Sequence, residues 1–272
     1  MTAVLAPVDG ALRARLGEHE WAVASAGVAG LPGWAEVLPV DRDGSPVAPP
    51  PPPADAAAAP AGVDPVLRAA VEGGAAALVA VEVAAAAGER ALLAVLWSDA
   101  EAGSGVARGV DVVPDAGLAG TTPRPGVEVS AFPVAGLVDE VLRHVPDAPV
   151  RVAAAPATVP EELTIALAQA IRGGDTATVD ALCAELGTDG PPAVVEAAVR
   201  GVDGSLVVSV ASRGRTDVST LSLLRTDAGW VELTRTADGQ VVHTPRSRED
   251  VRAALLHDLT GRFATATTED DA

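Results

Sequence analysis

The sequence contains no Lys, no Tyr and no Asn, and its only Met is the first residue. Aromatic residues make up 2% of the 272, as four Trp and two Phe, and there is a single Cys. Each absence removes chemistry. Without Lys there is no Schiff-base nucleophile, no pyridoxal attachment and no Gly-Lys-Ser/Thr phosphate loop. Without Tyr or Asn, catalytic pairs and amide donors that need those side chains are excluded. One thiol, Cys183, forms no disulfide within the chain and builds no thiolate zinc site. Six aromatics furnish no platform for stacked bases, and 19 basic against 37 acidic residues gives a net charge of −18 that repels a phosphate backbone. Nucleic acid is therefore not an expected partner. The first eight residues lack the basic-then-apolar order of a signal peptide, and the longest apolar run, 75–87, is interrupted by Glu82 and too short for a bilayer. The expectation is a soluble, cytoplasmic protein without membrane insertion.

What remains is rich in Ala, Val and Leu, 49% hydrophobic, and long enough for one large domain or two halves of ordinary size. Residues 1–62 form an N-terminal segment, with a helical turn or two expected over 11–16 and a strand over 34–40. This segment carries five consecutive prolines at 49–53, which donate no backbone hydrogen bonds and read as a dispensable exposed linker. A first sheet-plus-helix half is expected over 63–150. It opens with Asp64 capping a helix that has Pro65 at its first position. Strands follow at 78–83, 91–97, 106–113 and 127–132, and a helix at 134–144. A second half is expected over 151–272. Its helices begin at Pro160, Asp175 and Pro192, and Gly173-Gly174 and Gly187 stop the first two. Strands at 206–211, 218–225, 230–236 and 240–244 come next, with hairpin signals at Asp227-Ala228-Gly229 and Asp238-Gly239. The last helix starts at Ser247, with Asp250 three residues on as a shortened capping box, and runs to about Phe263. The segments VEVSAFPVAGLVDEVLRHV and VVHTPRSREDVRAALLHDL share the order strand, proline, amphipathic helix. They match Val138 with Val251, Leu142 with Leu255 and His144 with His257, which points to an internal duplication.

No constellation of residues makes an active site. The four histidines, His19, His144, His243 and His257, are unclustered and expected on helix or strand surfaces, with His144 and His257 at equivalent helix ends. Cys183 lies on an apolar helical stripe and reads as a buried, inert thiol. The run GSGVARG, with Gly103, Gly105 and Gly109, lacks the direct strand-to-helix junction of a dinucleotide loop and reads as a hairpin connection. Acidic pairs such as Glu161-Glu162 and Glu249-Asp250 fall at helix starts, where the dipole favours them. No metal and no organic cofactor is expected. The turn SRGRT makes Arg213 and Arg215 a locally basic point on an acidic chain, either a solvated hairpin tip or a contact for an acidic partner.

The stretch DVSTLSLLRTDAGWVELTRTADGQVVHTPRSREDVRAALLHDL resembles the C-terminal half of the EspG family, proteins associated with ESX (type VII) secretion in actinobacteria. The stretch VPEELTIALAQAIRGGDTATVDALCAEL and the run 63–146 are similar to it as well, with Trp230, Pro245 and Leu255 as landmarks. The Lys-free, Ala- and Arg-rich composition suits a high-GC actinobacterial origin. The resemblance implies an α+β fold of two pseudo-symmetric halves, each a bent antiparallel β-sheet packed with α-helices. It also implies a non-enzymatic cytosolic chaperone that holds the apolar tip of a PPE-type helical partner, as a monomer or a homodimer, without a cofactor. Against it stand a small-ligand enzyme with a site dispersed in sequence, and a self-associating structural subunit. The partner-contact residues expected from the sequence are Trp230, Glu232, Leu221, Leu223, Arg213 and Arg215. Period-2 alternation puts Leu221 and Leu223 opposite Ser222 and Leu224, and Trp230, Glu232 and Thr234 opposite Val231 and Leu233. Trp230 follows a hairpin turn and is expected on the more exposed face, as an anchor for a partner's apolar tip.

Overall fold

The fold is described from a computed structural model, covering residues 6–36, 64–112 and 121–270. The proline run 49–53 and the last two residues lie outside these. The described residues form an α+β structure with twelve strands in antiparallel ladders and eight α-helices. They divide into two compact units. One takes the described parts of Met1–Val145 with Val208–Thr220 and Leu255–Ala272; the other takes Pro146–Val207 and Leu221–Ala254.

The chain opens with β1 (Ala6–Val8) and β2 (Ala11–Leu16), joined by Asp9 and Gly10, which sit at φ +46° and +80°. Two consecutive left-handed residues make the primed turn that matches strand twist, so 11–16 is a strand and not the expected helical turn. Helices α1 (Glu18–Ser25), α2 (Gly33–Glu36) and α3 (Pro65–Glu72) follow. Trp34 and Ala35 are thus helical, against the strand expected there. Asp64 caps α3 as expected, accepting from the amides of Val66 and Leu67. The sheet continues with β3 (Val79–Ala87), β4 (Arg90–Ser98), β5 (Ala102–Val112), β6 (Thr121–Pro123) and β7 (Val127–Pro133), in the order β1-β2-β7-β5-β4-β3 with β6 beside β5. Helix α4 (Leu137–Arg143) closes this half after a 3₁₀ turn. Leu16, Trp21, Leu67, Val71, Val95, Trp97, Val106 and Val129 form its core between helices and sheet.

GSGVARG lies inside β5 and not in a hairpin connection. Gly103 faces Phe132 across the ladder, and a Cβ there would stand 2.2 Å from a ring carbon, so only glycine admits the ring.

The second half begins with β8 (Ala157–Pro160), then α5 (Glu161–Gly173), α6 (Thr176–Glu185) and α7 (Ala193–Arg200). Gly174 and Gly187 end the first two helices at φ +69° and +71°, as the left-handed stop requires. Four strands follow, β9 (Gly204–Ser212), β10 (Val218–Thr226), β11 (Gly229–Arg235) and β12 (Gln240–Arg246), in the order β9-β10-β11-β12-β8. Helix α8 (Arg248–Asp270) begins with the anticipated capping box: Asp250 accepts from the Ser247 amide at 2.7 Å and the Ser247 hydroxyl from the Asp250 amide at 3.1 Å. It runs past Phe263, to Asp270. Leu167, Ile171, Cys183, Val194, Val195 and Val231 build this half's core, with Cys183 buried as expected.

Both halves share one plan: a first strand that pairs with the last (β2 with β7, β8 with β12), helices between, and a closing helix. Leu142 and Leu255, matched in the sequence, are both buried, whereas Val138 is half-buried where Val251 is buried. His144 caps the end of α4 while His257 lies within α8, so the two are not equivalent helix ends.

Candidate partner-binding surface

The six residues read from the sequence fall into two groups. Leu223 is paired directly with Glu232, and Arg225 with Trp230, so Leu221, Leu223, Trp230 and Glu232 share one face of the β10–β11 ladder. That face is covered where it matters. Trp230 is 2% exposed and Leu223 1%, which overturns the expectation of an exposed Trp230. It lies at the buried end of its strand, one residue past Gly229, whose φ of +88° turns the chain. Leu221 is half-buried. Glu232 is half-buried and its Oε2 accepts two hydrogen bonds from Arg246, at 2.8 and 2.6 Å. Neither an anchor ring nor a free carboxylate is presented there.

Arg213 and Arg215 are exposed, in the turn between β9 and β10 where Gly214 sits at φ +74°. Arg213 is tied back by its amide to Leu78 O at 2.8 Å and by its guanidinium to Ala75 O at 3.2 Å. Arg215 Nε donates to Asp217 Oδ1 at 2.9 Å, and Arg262 of α8 donates to Asp217 Oδ2, also at 2.9 Å. The two guanidiniums, Arg215 first, hold the Asp217 carboxyl below the usual carboxylate range. The Ser219 hydroxyl donates to Asp258 on the same helix. Arg215, Asp217, Asp258 and Arg262, with Ser212, His257, Gly261 and Thr265, line an open polar recess of about 290 Å³. Val218 (55% exposed) and Leu256 (56%) are chain neighbours of Asp217 and His257. The recess presents directional donors and acceptors of both signs, which suits a polar peptide surface. The sequence marked Arg215. It gave no sign of the α8 residues, whose distance along the chain hides their proximity.

The histidines depart from expectation. His243 is 2% exposed and His144 7%, so neither lies on a surface. His144 belongs to a charge cluster. Arg143 Nη2 donates to Glu140 Oε1 at 2.8 Å and to Glu128, and stands 3.2 Å from His144 Nε2. Arg13 Nη2 donates to Glu140 Oε2 at 2.6 Å. Burial would raise the Glu140 carboxyl, but the hydrogen bonds from Arg13 and Arg143 outweigh it and hold the pKa at about 2. Burial, with the Arg143 charge, pushes His144 down to about 4. Donor atoms of Glu128, Glu140 and His144 lie within 4.8 Å of one another, a set suited to a divalent cation. Arg143 already supplies the cation to all three, and Arg13 adds a second positive charge, so this arrangement works as an ion-pair knot.

No family model matches the chain, and no curated protein matches it in sequence. Among solved structures, that of the Mycobacterium tuberculosis type VII secretion system chaperone EspG5 in complex with a PE25-PPE41 dimer is similar, with a TM-score of 0.50. The match covers 89% of this chain and 93% of that chain at 12% identity. The chain has the fold of that chaperone. No helix among the described residues is long and apolar enough to cross a membrane.

Proposed function

We propose that the chain is a non-enzymatic chaperone of the type VII (ESX) secretion route, a member of the EspG family that works in the cytoplasm of an actinobacterium. Its client is a PPE-type helical protein, held before export. The observation that carries this reading is a fold shared along nearly the whole of both chains with a chaperone solved on a PE25-PPE41 dimer. The recess beside Arg215 is the contact surface on this reading, with Arg213, Arg215, Val218 and Leu256 as exposed side chains. A helical tip ends in unpaired backbone carbonyls or amides, and a mixed wall of Arg and Asp offers partners to either.

Co-expression with PPE-type proteins of the host, each with its PE-type mate, tests this by co-elution in size-exclusion chromatography. A complex with at least one is expected, and Arg215→Glu is expected to weaken it without lowering the melting temperature. Failure of every host PPE-type protein to co-elute would refute the reading.

A further inference from the structure

A second cavity, of about 210 Å³, lies in the first half among β2, β4, β5, β7, the β6–β7 connection and the end of α4. Arg15, Arg124 and Arg143 line it, together with Glu128, His144, Gly109 and Gly126, over apolar walls of Ala91, Leu92 and Ala107. Three guanidiniums on one small cavity are unexpected in a chain of net charge −18. From these groups we infer that the cavity is a binding site for a single oxyanion, a phosphate or a carboxylate, gripped by Arg15 and Arg124.

The charges divide unevenly among the wall groups. Glu128 is consumed by Arg143, which also serves Glu140. His144, buried beside Arg143, is neutral near pH 7 and turns its Nε2 to a guanidinium that has only donors. Arg15 donates to a neutral group, Pro125 O, at 3.3 Å. Arg124 has its nearest carboxylate, Asp111, at 3.7 Å, with both side chains largely in water (44% and 61% exposed). Positive charge is therefore left on the Arg15 and Arg124 side of the cavity.

The backbone makes room for those two side chains. A Cβ on Gly109 would stand 3.3 Å from Arg124 Cδ, and one on Gly126, at φ +91°, would stand 3.2 Å from Arg15 Nε. The Arg124 amide is pinned to Gly109 O at 2.8 Å, which fixes where its side chain starts. Two glycines thus clear the paths of two guanidiniums, each a planar fork matched to an oxyanion. At ~30 Å³ per water the cavity holds about seven waters, enough for an inorganic oxyanion and its remaining hydration.

The test is NMR of the arginine Nε–Hε groups of the full chain, titrated separately with inorganic phosphate and with acetate at constant ionic strength. Saturable shifts confined to Arg15, Arg124 and Arg143 are expected with one of them; saturation by phosphate assigns a phosphoryl ligand, saturation by acetate a carboxylate. Arg15→Gln and Arg124→Gln are each expected to weaken the response roughly tenfold or more, whereas Arg151→Gln, whose side chain pairs with Asp227 in the other half, leaves it unchanged. Linear, unsaturable shifts with both anions, or an unchanged response in the Arg15→Gln/Arg124→Gln double variant, would overturn the assignment. Both side chains are exposed, so the variants should keep the melting temperature of the parent, which is checked alongside.

Discussion

Acid should strip stability from this fold in two consecutive steps, both traceable to the knot at the end of α4. His144 sits at about 4 in the folded chain against an ordinary 6.5, and Glu140 at about 2 against 4.5. Both folded values are depressed. For His144 this means that between 6.5 and about 4 the unfolded chain binds a proton that the folded chain refuses, so stability falls as pH falls through that window. For Glu140 the unfolded carboxylate takes its proton near 4.5 while the folded one stays ionised, so stability present above 4.5 is lost as pH falls towards 2. Each depression corresponds to about 3 kcal/mol at 1.36 kcal/mol per pH unit, a large fraction of the 5–15 kcal/mol typical of a domain. The groups that set these values face one another from three elements, Arg13 from β2, Glu128 from β7 and Glu140, Arg143 and His144 from α4 and its end.

The perturbation is His144→Gln, which keeps an acceptor for Arg143 and removes the titration. Urea unfolding at half-unit steps from pH 7.5 to 3.5 gives the two stability curves. Their difference should grow by up to about 1.4 kcal/mol per pH unit below 6.5, with the parent losing more. Buried His243, whose pKa is also lowered by burial, and the many surface carboxylates act equally in both chains and cancel. Glu140→Gln at neutral pH should itself cost about 3 kcal/mol, since it leaves Arg13, 12% exposed, without its anion. Parallel curves for parent and His144→Gln between pH 6.5 and 4.5 would refute the reasoning, whatever the absolute stabilities.

Two substitutions test the interior directly. Gly103→Ala drives a Cβ into the Phe132 ring, itself 5% exposed, and should cost about 1–3 kcal/mol in urea unfolding; Gly190→Ala, with nothing within 4 Å, is the control and should be far milder. Trp230→Ala should cost about 3–5 kcal/mol, as the loss of a ring 2% exposed; a change under about 0.5 kcal/mol would mean that the ring is not packed in the core.

Punctuation was legible and alanine was not. Asp64, Asp175, Ser247 with Asp250, Gly174 and Gly187 each sit where the sequence put them, because caps and left-handed stops act within a few residues of backbone and need no tertiary context. The Asp9-Gly10 turn carries the same kind of signal as Asp238-Gly239, and it makes 11–16 a strand paired with β1 where a helical turn was expected. Ala84–Ala87 carries almost no strand propensity. It is a strand because Leu93, Leu92, Ala91 and Arg90 pair with it residue by residue, a tertiary decision that outweighs intrinsic preference. The buried placement of His144 was likewise hidden, since its neighbour Arg143 and the distant Arg13 and Glu128 together remove the need for water.

The misplacement of Trp230 has a more specific cause. Alternation predicts faces on the assumption that a strand is covered on one side along its whole length. Strand β11 breaks that assumption, because Gly229, Trp230 and Val231 are all buried and Leu233, Thr234 and Arg235 are all exposed. Burial changes along the strand and not across it. Trp230 and Val231 point to opposite faces and both are sealed, Val231 in the cluster under α5 and α7, while Leu233 is 44% exposed although it shares a face with Val231. A lengthwise gradient of this kind leaves no trace in a period of two, so the residues that share a face could be read and the residues that meet solvent could not. On the proposed reading the partner meets the start of β10, away from the β10–β11 turn, where Arg213, Arg215 and Val218 are exposed.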